Sequence, residues 1–356
     1  MHYQRVAVLF VVSVLFLTFL YSAHEDNAVA GIVPTATPRN NRMMETASSK
    51  VYLPVVFKSP PPPPSATTSR YVVTTTLSIL WNEGCNQARA GESGVVVLDF
   101  GTPAYDSTTH KYGTILAGGS RPFVSVDTIW SLTAEFLQGY ADASCNPTGK
   151  HIYLAVGTNN YGTQVTREHG IAWAQLVENV HQTIIYPPSL ESMVTAAGAI
   201  DAEVDWNSAT TTRAWVDGYK DTTSKQYYNF GNCAGCNYPT GAPSNGWTWN
   251  DVWYISYGVL PAYPLPEIYA RSGTHANQWY TMSVYTYNTY GYRMRFKGSF
   301  TQWQACQGNT PRAIECRNLQ LDNTPSDGWT QLYNKLNSDS RTAQDLPWST
   351  DVTWAQ

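Results

Sequence analysis

Four apolar runs in the middle of the chain constrain its fold most, because each is continuous and each stops at an acid or a glycine. They are GVVVLDFG at 94–101, RPFVSVD at 121–127, HIYLAVG at 151–157 and MVTAAGAIDAEVD at 193–205. A strand with one wet face alternates apolar and polar residues; a strand covered on both faces reads as an unbroken run. Strands of the second kind belong to parallel sheets with helices as crossovers, and helical spacing follows at 129–143 and 167–184. Further strand candidates lie at 226–231, 252–257, 266–270 and 296–303, with helices at 211–219 and 275–287. Eight strands at intervals of roughly 25 to 40 residues predict an α/β fold, a (β/α)₈ barrel over residues 71–356. A doubly wound sheet is the alternative; it lacks a glycine-rich phosphate turn and would not place acids at the strand ends. Residues 304–356 are expected to add a closing helix at 328–337 and an extended tail.

The first seventy residues read differently. Arg5 precedes an apolar stretch from Val6 to Tyr21, broken only by Ser13 and Thr18, and Ala28-Val29-Ala30 offers a small-x-small cleavage site. This pattern predicts a signal peptide over 1–30 and export, with an uncleaved anchor as the alternative. No stable membrane span is expected after cleavage. Residues 31–70 read as a Pro/Ser/Thr-rich linker, in which Pro60–Pro64 favours a semi-rigid polyproline II spacer. The apolar segment 51–57 inside it has no assigned role.

In an exported chain, six cysteines are expected to form disulfides. Closeness in sequence pairs Cys233 with Cys236 and Cys306 with Cys316, leaving Cys85 with Cys145. A redox role for Cys233-Ala-Gly-Cys236 is disfavoured, since no helix pattern follows it.

Charged residues make up 13% of the chain, where globular domains average about 25%. A net charge of −4 without a basic cluster excludes nucleic acid as the partner. The 24 Tyr and 13 Trp residues suit sugar binding, because flat rings pack on the apolar faces of pyranoses, although core packing accounts for most of them. Trp206, Trp247, Trp249 and Trp253 cluster where strand-end loops are expected.

Within the fourth run, Asp201, Glu203 and Asp205 recur at a spacing of two. Side chains two apart on a strand share a face, here the barrel lumen near the carboxyl end, where barrel active sites sit. Clustered carboxylates cost several kcal/mol unless something uses them, and their repulsion drives pKa values apart. One acid then stays protonated near neutrality while another is ionised, as glycosidic bond cleavage requires. Glu203, the central and longer side chain, is the expected general acid, with Asp201 tuning it and Asp99 or Asp205 as base or stabiliser. Asp127, Glu267, Gln302, Trp206 and Trp303 are further candidates for the same pocket. Ca²⁺ ligation and a solvated edge strand are the alternatives for the three acids. The histidines lack zinc spacing, and no Gly-x-Ser-x-Gly elbow occurs, so neither metal nor cofactor is expected and Ser125 and Ser256 read as strand residues.

Three motifs carry a resemblance: Asp201-Ala-Glu203 closing strand four, Leu98-Asp99-Phe100 closing strand one, and Trp303-Gln304 at strand eight. Together, over 95–305, they resemble the lysozyme-type barrels of glycoside hydrolase family 25 and their secreted relatives. The resemblance implies a hydrolase of cell-wall or other polysaccharide, peptidoglycan included, with Glu203 as acid and Asp201 and Asp99 as partners. Gln302, where that family tends to offer a carboxylate, and the additional Asp205 depart from the pattern. A secreted, monomeric enzyme is expected; the alternative is an inactive barrel that holds glycan at the cell surface.

Overall fold

A computed structural model describes residues 60–355, apart from 119–120, 147–148 and 186–187. The expected signal peptide, and the linker up to residue 59, lie outside the described residues; residues 60–66 carry no regular structure. The chain then runs through β1 (Thr67–Val72), α1 (Leu77–Arg89) and β2 (Gly94–Asp99). An excursion follows, made of β3 (Thr102–Asp106), β4 (Lys111–Ile115) and β5 (Phe123–Ser125), before α2 (Val126–Ala141). Next come β6 (Ile152–Asn159), α3 (Arg167–Ile185), α4 (Pro188–Glu191), β7 (Val194–Asp201), α5 (Ala209–Thr222) and β8 (Tyr227–Asn229). Helix α6 (Trp249–Trp253) continues into a π-helical turn, Tyr254–Gly258, and leads to β9 (Ala262–Pro264), α7 (Thr274–Tyr290) and β10 (Gly298–Thr301). A 3₁₀ turn at Gln304–Cys306, α8 (Pro311–Asn318), α9 (Pro325–Asn337) and β11 (Trp348–Ala355) complete the described chain.

Eight of these strands form one parallel sheet in the order β10-β11-β1-β2-β6-β7-β8-β9. The segment after β9 returns to β10: Glu267 bridges Phe300 in parallel, Ile268 N donates to Phe300 O at 2.8 Å and Phe300 N to Pro266 O at 2.9 Å. The sheet therefore closes, and the fold is a (β/α)₈ TIM barrel. The three disulfides join Cys85 to Cys145, Cys233 to Cys236 and Cys306 to Cys316.

Several expected strands belong elsewhere. Residues 121–127 are not a barrel strand; their middle is β5, the edge of an antiparallel sheet with β3 and β4, and Ser125 caps α2 by accepting from Thr128 N at 3.2 Å. Residues 252–257 are helical, because Thr248 and Asp251 form a capping box that starts a helix just before them; Ser256 lies in the π-helical turn. The sixth strand is β9 instead, and the run at 296–303 supplies the seventh. The missing first and eighth strands are β1, which begins inside the segment expected to be linker, and β11, in the expected tail. Both are polar yet buried. Their hydroxyls satisfy one another and the neighbouring backbone: Ser69 Oγ lies 2.7 Å from Thr350 Oγ1 and accepts from Val97 N at 2.9 Å. Arg70 is buried against Glu83, with Nε 2.7 Å from its carboxylate, and against Gln87 at 2.5 Å. An apolar-run criterion cannot register such strands.

Strand alternation sorts the side chains into two cores. Val96, Leu98, Leu154, Val156 and Ile200 point outward to pack with the helices, whereas Val95, Val97, Ala155, Ala197, Ala199, Tyr228, Phe230 and Phe300 fill the lumen. Two residues further along each chain, the same lumen-facing rows reach the carboxyl end of the barrel.

Candidate active site

Those rows end in Tyr71 of β1, Asp99 of β2, Asn159 of β6, Asp201 of β7, Asn232 beyond β8, Glu267 and Tyr269 beyond β9, Gln302 beyond β10 and Trp354 of β11. All of them line two adjoining cavities of about 340 and 480 Å³ that share Tyr71, Asp201, Trp206, Arg312 and Trp354. The first cavity holds Glu203, Asn232, Glu267, Tyr269, His275, Gln302 and Glu315; the second holds Asp99, Arg121, Asn159 and Tyr161.

Carboxylate oxygens of Asp201, Glu203 and Glu267 lie within 4.8 Å of one another. Strand β7 ends at Asp201, so Glu203 reaches the group from the turn that follows, and that turn is held firmly. Asn160 clamps the Glu203 backbone, donating from Nδ2 to its carbonyl at 2.9 Å and accepting its N–H at 3.0 Å. Asn232 Nδ2 donates to Glu203 Oε2 at 2.5 Å. Gly101, with φ of +88°, turns its N–H onto Asp99 Oδ1 at 2.9 Å; a Cβ there would meet Ile115 O at 2.5 Å, so only glycine fits.

Burial dominates the electrostatics. It pushes Asp99 up to about 6, opposed by the Gly101 N–H and by Arg312. Burial raises Glu203 to about 7, partly offset by its hydrogen bond with Glu267. Asp201 and Glu267 rise well above the carboxylate range, first through burial and then through Glu203 and the other nearby acids. Asp201 Oδ1 is buried without a hydrogen-bond partner among the described residues. His275 Nδ1 accepts from Tyr269 N at 3.3 Å and lies 3.5 Å from Glu267 Oε1; burial pushes this imidazole down to about 4, so it is neutral. The hydroxyls of Tyr71 and Tyr269 hydrogen-bond each other, and burial raises both.

The expected residues thus divide. Asp99, Asp201, Glu203, Trp206, Glu267 and Gln302 line the cavities, with Gln302 Nε2 donating to Leu321 O at 3.1 Å. Asp205 does not join them: the strand ends before it, period-two alternation no longer applies, and the residue is exposed. Asp127 lies in the first turn of α2 and pairs at the surface with Lys111 Nζ at 2.7 Å. Trp303 lies outside both cavities, 37% exposed, with its backbone N–H donated to Asp351 Oδ1. Among the other candidate platforms, Trp247 is buried, while Trp249 stacks on Tyr285 and Trp253 on Tyr290. The motifs also shift: Asp99 ends the second barrel strand and Trp303-Gln304 follows the seventh, where the family resemblance has the first and eighth.

Asn160, Asn232, Tyr71, Tyr269, His275, Arg312 and Trp354 were not singled out from the sequence. Continuing the period-two count past each strand end would have reached Asn232 and Tyr269. Arg312 carries no such signal. It arrives on α8, which the Cys306–Cys316 bridge ties back to the turn after β10.

No protein-family model matches the chain, and no curated protein matches it. Among solved structures it is similar to the endo-1,4-beta-mannanase from Rhizomucor miehei, at 10% identity, over 83% of this chain and 87% of that one, with a TM-score of 0.40. At that level the likeness says nothing about the reaction. No described helix is long and apolar enough to cross a membrane.

Proposed function

We propose that the protein is an exported glycoside hydrolase acting on cell-wall or other polysaccharide, its barrel carried on a proline-rich tether. The observation that carries this reading is the carboxyl cluster at the barrel mouth: oxygens of Asp201, Glu203 and Glu267 lie within 4.8 Å of one another with Asp99 in the adjoining cavity, and burial raises Asp99 to about 6 and Glu203 to about 7. Between those values one is ionised while the other still bears its proton, the division of labour that acid and base catalysis of glycosidic cleavage needs. Glu203 is the proton donor, held on the leaving oxygen by Asn232. Asp99 is the ionised partner, activating water or stabilising developing positive charge. Burial raises Asp201 and Glu267 well above the ordinary carboxylate range, and burial is also what holds the proton on Glu203. The rings of Tyr71, Tyr161, Trp206 and Trp354 wall the groove and suit the apolar faces of sugar rings. Peptidoglycan, which the resemblance to family 25 implies, is one substrate to try.

The test is reducing-end release by the purified protein from peptidoglycan, chitin and plant and microbial glucans, with Glu203→Gln in parallel. Release by the wild type and loss in the variant support the reading. No release across the panel, with retention on an insoluble glycan, would make the barrel a binding module.

A further inference from the structure

The two cavities that meet at Asp201 share Arg312 and differ in what else they hold. Glu203, Glu267 and Glu315 line the first alone, Arg121 and Asp99 the second alone. In the second cavity Arg121 and Arg312 stand with Asp99 and Asp201, whose carboxyls are both raised by burial. Neither arginine makes a hydrogen bond or an ion pair with a protein group among the described residues. They differ in this from Arg70, Arg213, Arg271 and Arg341, each of which is committed to a carboxylate. Arg312 is held at the rim, where its charge acts on Asp99, Asp201 and Glu203 without forming an ion pair. Its guanidinium carbon lies 5.5 Å from the Trp354 ring, itself 4.8 Å from Tyr71, and the Cys306–Cys316 bridge anchors its helix. Arg121 reaches the same cavity from the end of the β4–β5 connection, with φ of +46°.

We propose that this half of the groove binds the carboxylate of an acidic sugar through Arg312 and Arg121, so that the polysaccharide acted on is a polyanion bearing uronate-type carboxylates. The inference rests on the reading of the mouth as a glycoside hydrolase site, and deepens it by naming the substrate class. The guanidinium fork matches a carboxylate in the plane of two N–H groups, and an unpaired arginine at a groove wall can deliver both. A cavity of about 480 Å³ has room for the sugar that carries it, with the scissile bond toward Glu203. A neutral glycan would leave Arg121 and Arg312 without an anionic partner from the ligand.

Binding and cleavage are measured separately. Acidic polymers (polyuronates, hyaluronan) are compared with their own methyl-esterified or carboxyl-reduced forms, and with a sulfated glycan, in titration calorimetry with the full chain. Wild type, Arg312→Gln, Arg121→Gln and, as a control, Arg295→Gln on the surface are used, and reducing ends are assayed on the same panel. The expected result is that one acidic polymer binds at least 10-fold more tightly than its esterified form, and that Arg312→Gln and Arg121→Gln each lose on the order of 10-fold, as for one charged hydrogen bond, while Arg295→Gln does not. Equal binding of acidic and esterified forms, binding of the sulfated glycan alone, no binding of any acidic polymer, or no loss in either arginine variant would overturn it. Cleavage of neutral glycans without charge preference would leave the hydrolase standing and remove the anion site. Arginine-dependent binding of an acidic glycan without cleavage would do the reverse.

Discussion

The two ends of the barrel lumen are built from the same strands and treated in opposite ways. At the amino-terminal end the inward positions are rings: Tyr153 packs on Trp348 at 4.7 Å, Tyr228 meets Trp348 edge-on at 6.5 Å, and Lys297 caps the layer, its Nζ 4.2 Å above the Tyr263 ring. At the carboxyl end the same rows arrive at Asp99, Asn159, Asp201 and Asn232, around open cavities. One end is filled and contributes stability. The other carries buried carboxyls whose ionisation the surroundings oppose, which costs stability and suits chemistry. A substitution should therefore change activity at one end and stability at the other.

The largest expected separation is between Glu203→Gln and Tyr228→Ala. Glu203→Gln should lower kcat/KM about 1000-fold toward whichever glycan is cleaved, with the folded state kept, since a neutral amide replaces an acid that burial disfavours in its charged form. Steady-state kinetics with thermal unfolding checks both halves. Tyr228→Ala, in the filled end, should cost about 3 to 5 kcal/mol in chemical denaturation while the surviving folded fraction keeps its kcat. If that variant were as stable as the wild type, the contrast between the ends would fail.

Stability should also depend on pH in a direction set by the open end. Asp99, Asp201, Glu203 and Glu267 hold protons more tightly folded than unfolded. Their contribution is complete below the ordinary carboxylate range and is lost as pH rises through about 6 and about 7 and beyond. The buried histidines His169 and His275, pushed down to about 4, act oppositely and only at lower pH, where the unfolded chain takes up protons first. From pH 6.5 to 8.5 the carboxyls dominate, and unfolding free energy should fall by on the order of 1 kcal/mol through Asp99 and Glu203, and further through Asp201 and Glu267. Glu267→Gln should flatten that slope, as urea melts at several pH values would reveal. In the same range kcat/KM should follow a bell, its acid limb from Asp99 near 6 and its alkaline limb from Glu203 near 7, and Asp99→Asn should remove the acid limb. The smallest effect is expected from Lys297→Met: loss of the cation above Tyr263 should cost about 0.5 to 1 kcal/mol and leave kinetics untouched.

How much of this was legible beforehand follows from how each part is encoded. Strands β2, β6 and β7 are unbroken apolar runs, and the period of two carries Asp99 and Asp201 inward without any tertiary knowledge. The same count overreached at Asp205, because β7 stops at Asp201. Strands β1 and β11 stayed hidden, since their buried Thr and Ser residues look like surface until their partners are known. Asp127 was misplaced for a related reason: Val124-Ser125-Val126 reads as a buried strand, yet Ser125 is a helix cap and the strand belongs to a side sheet.

By itself, then, the sequence determined that a parallel barrel would form and that acids would end its central strands, because continuous hydrophobicity and alternation are local properties. Only the tertiary structure decided that Glu267 meets Glu203, that Asn160 and Asn232 fix the latter, and that Arg121 and Arg312 line one cavity. Those contacts join residues far apart in the chain, and they depend on two polar strands pairing to close the barrel and on the staple that returns α8 to its mouth.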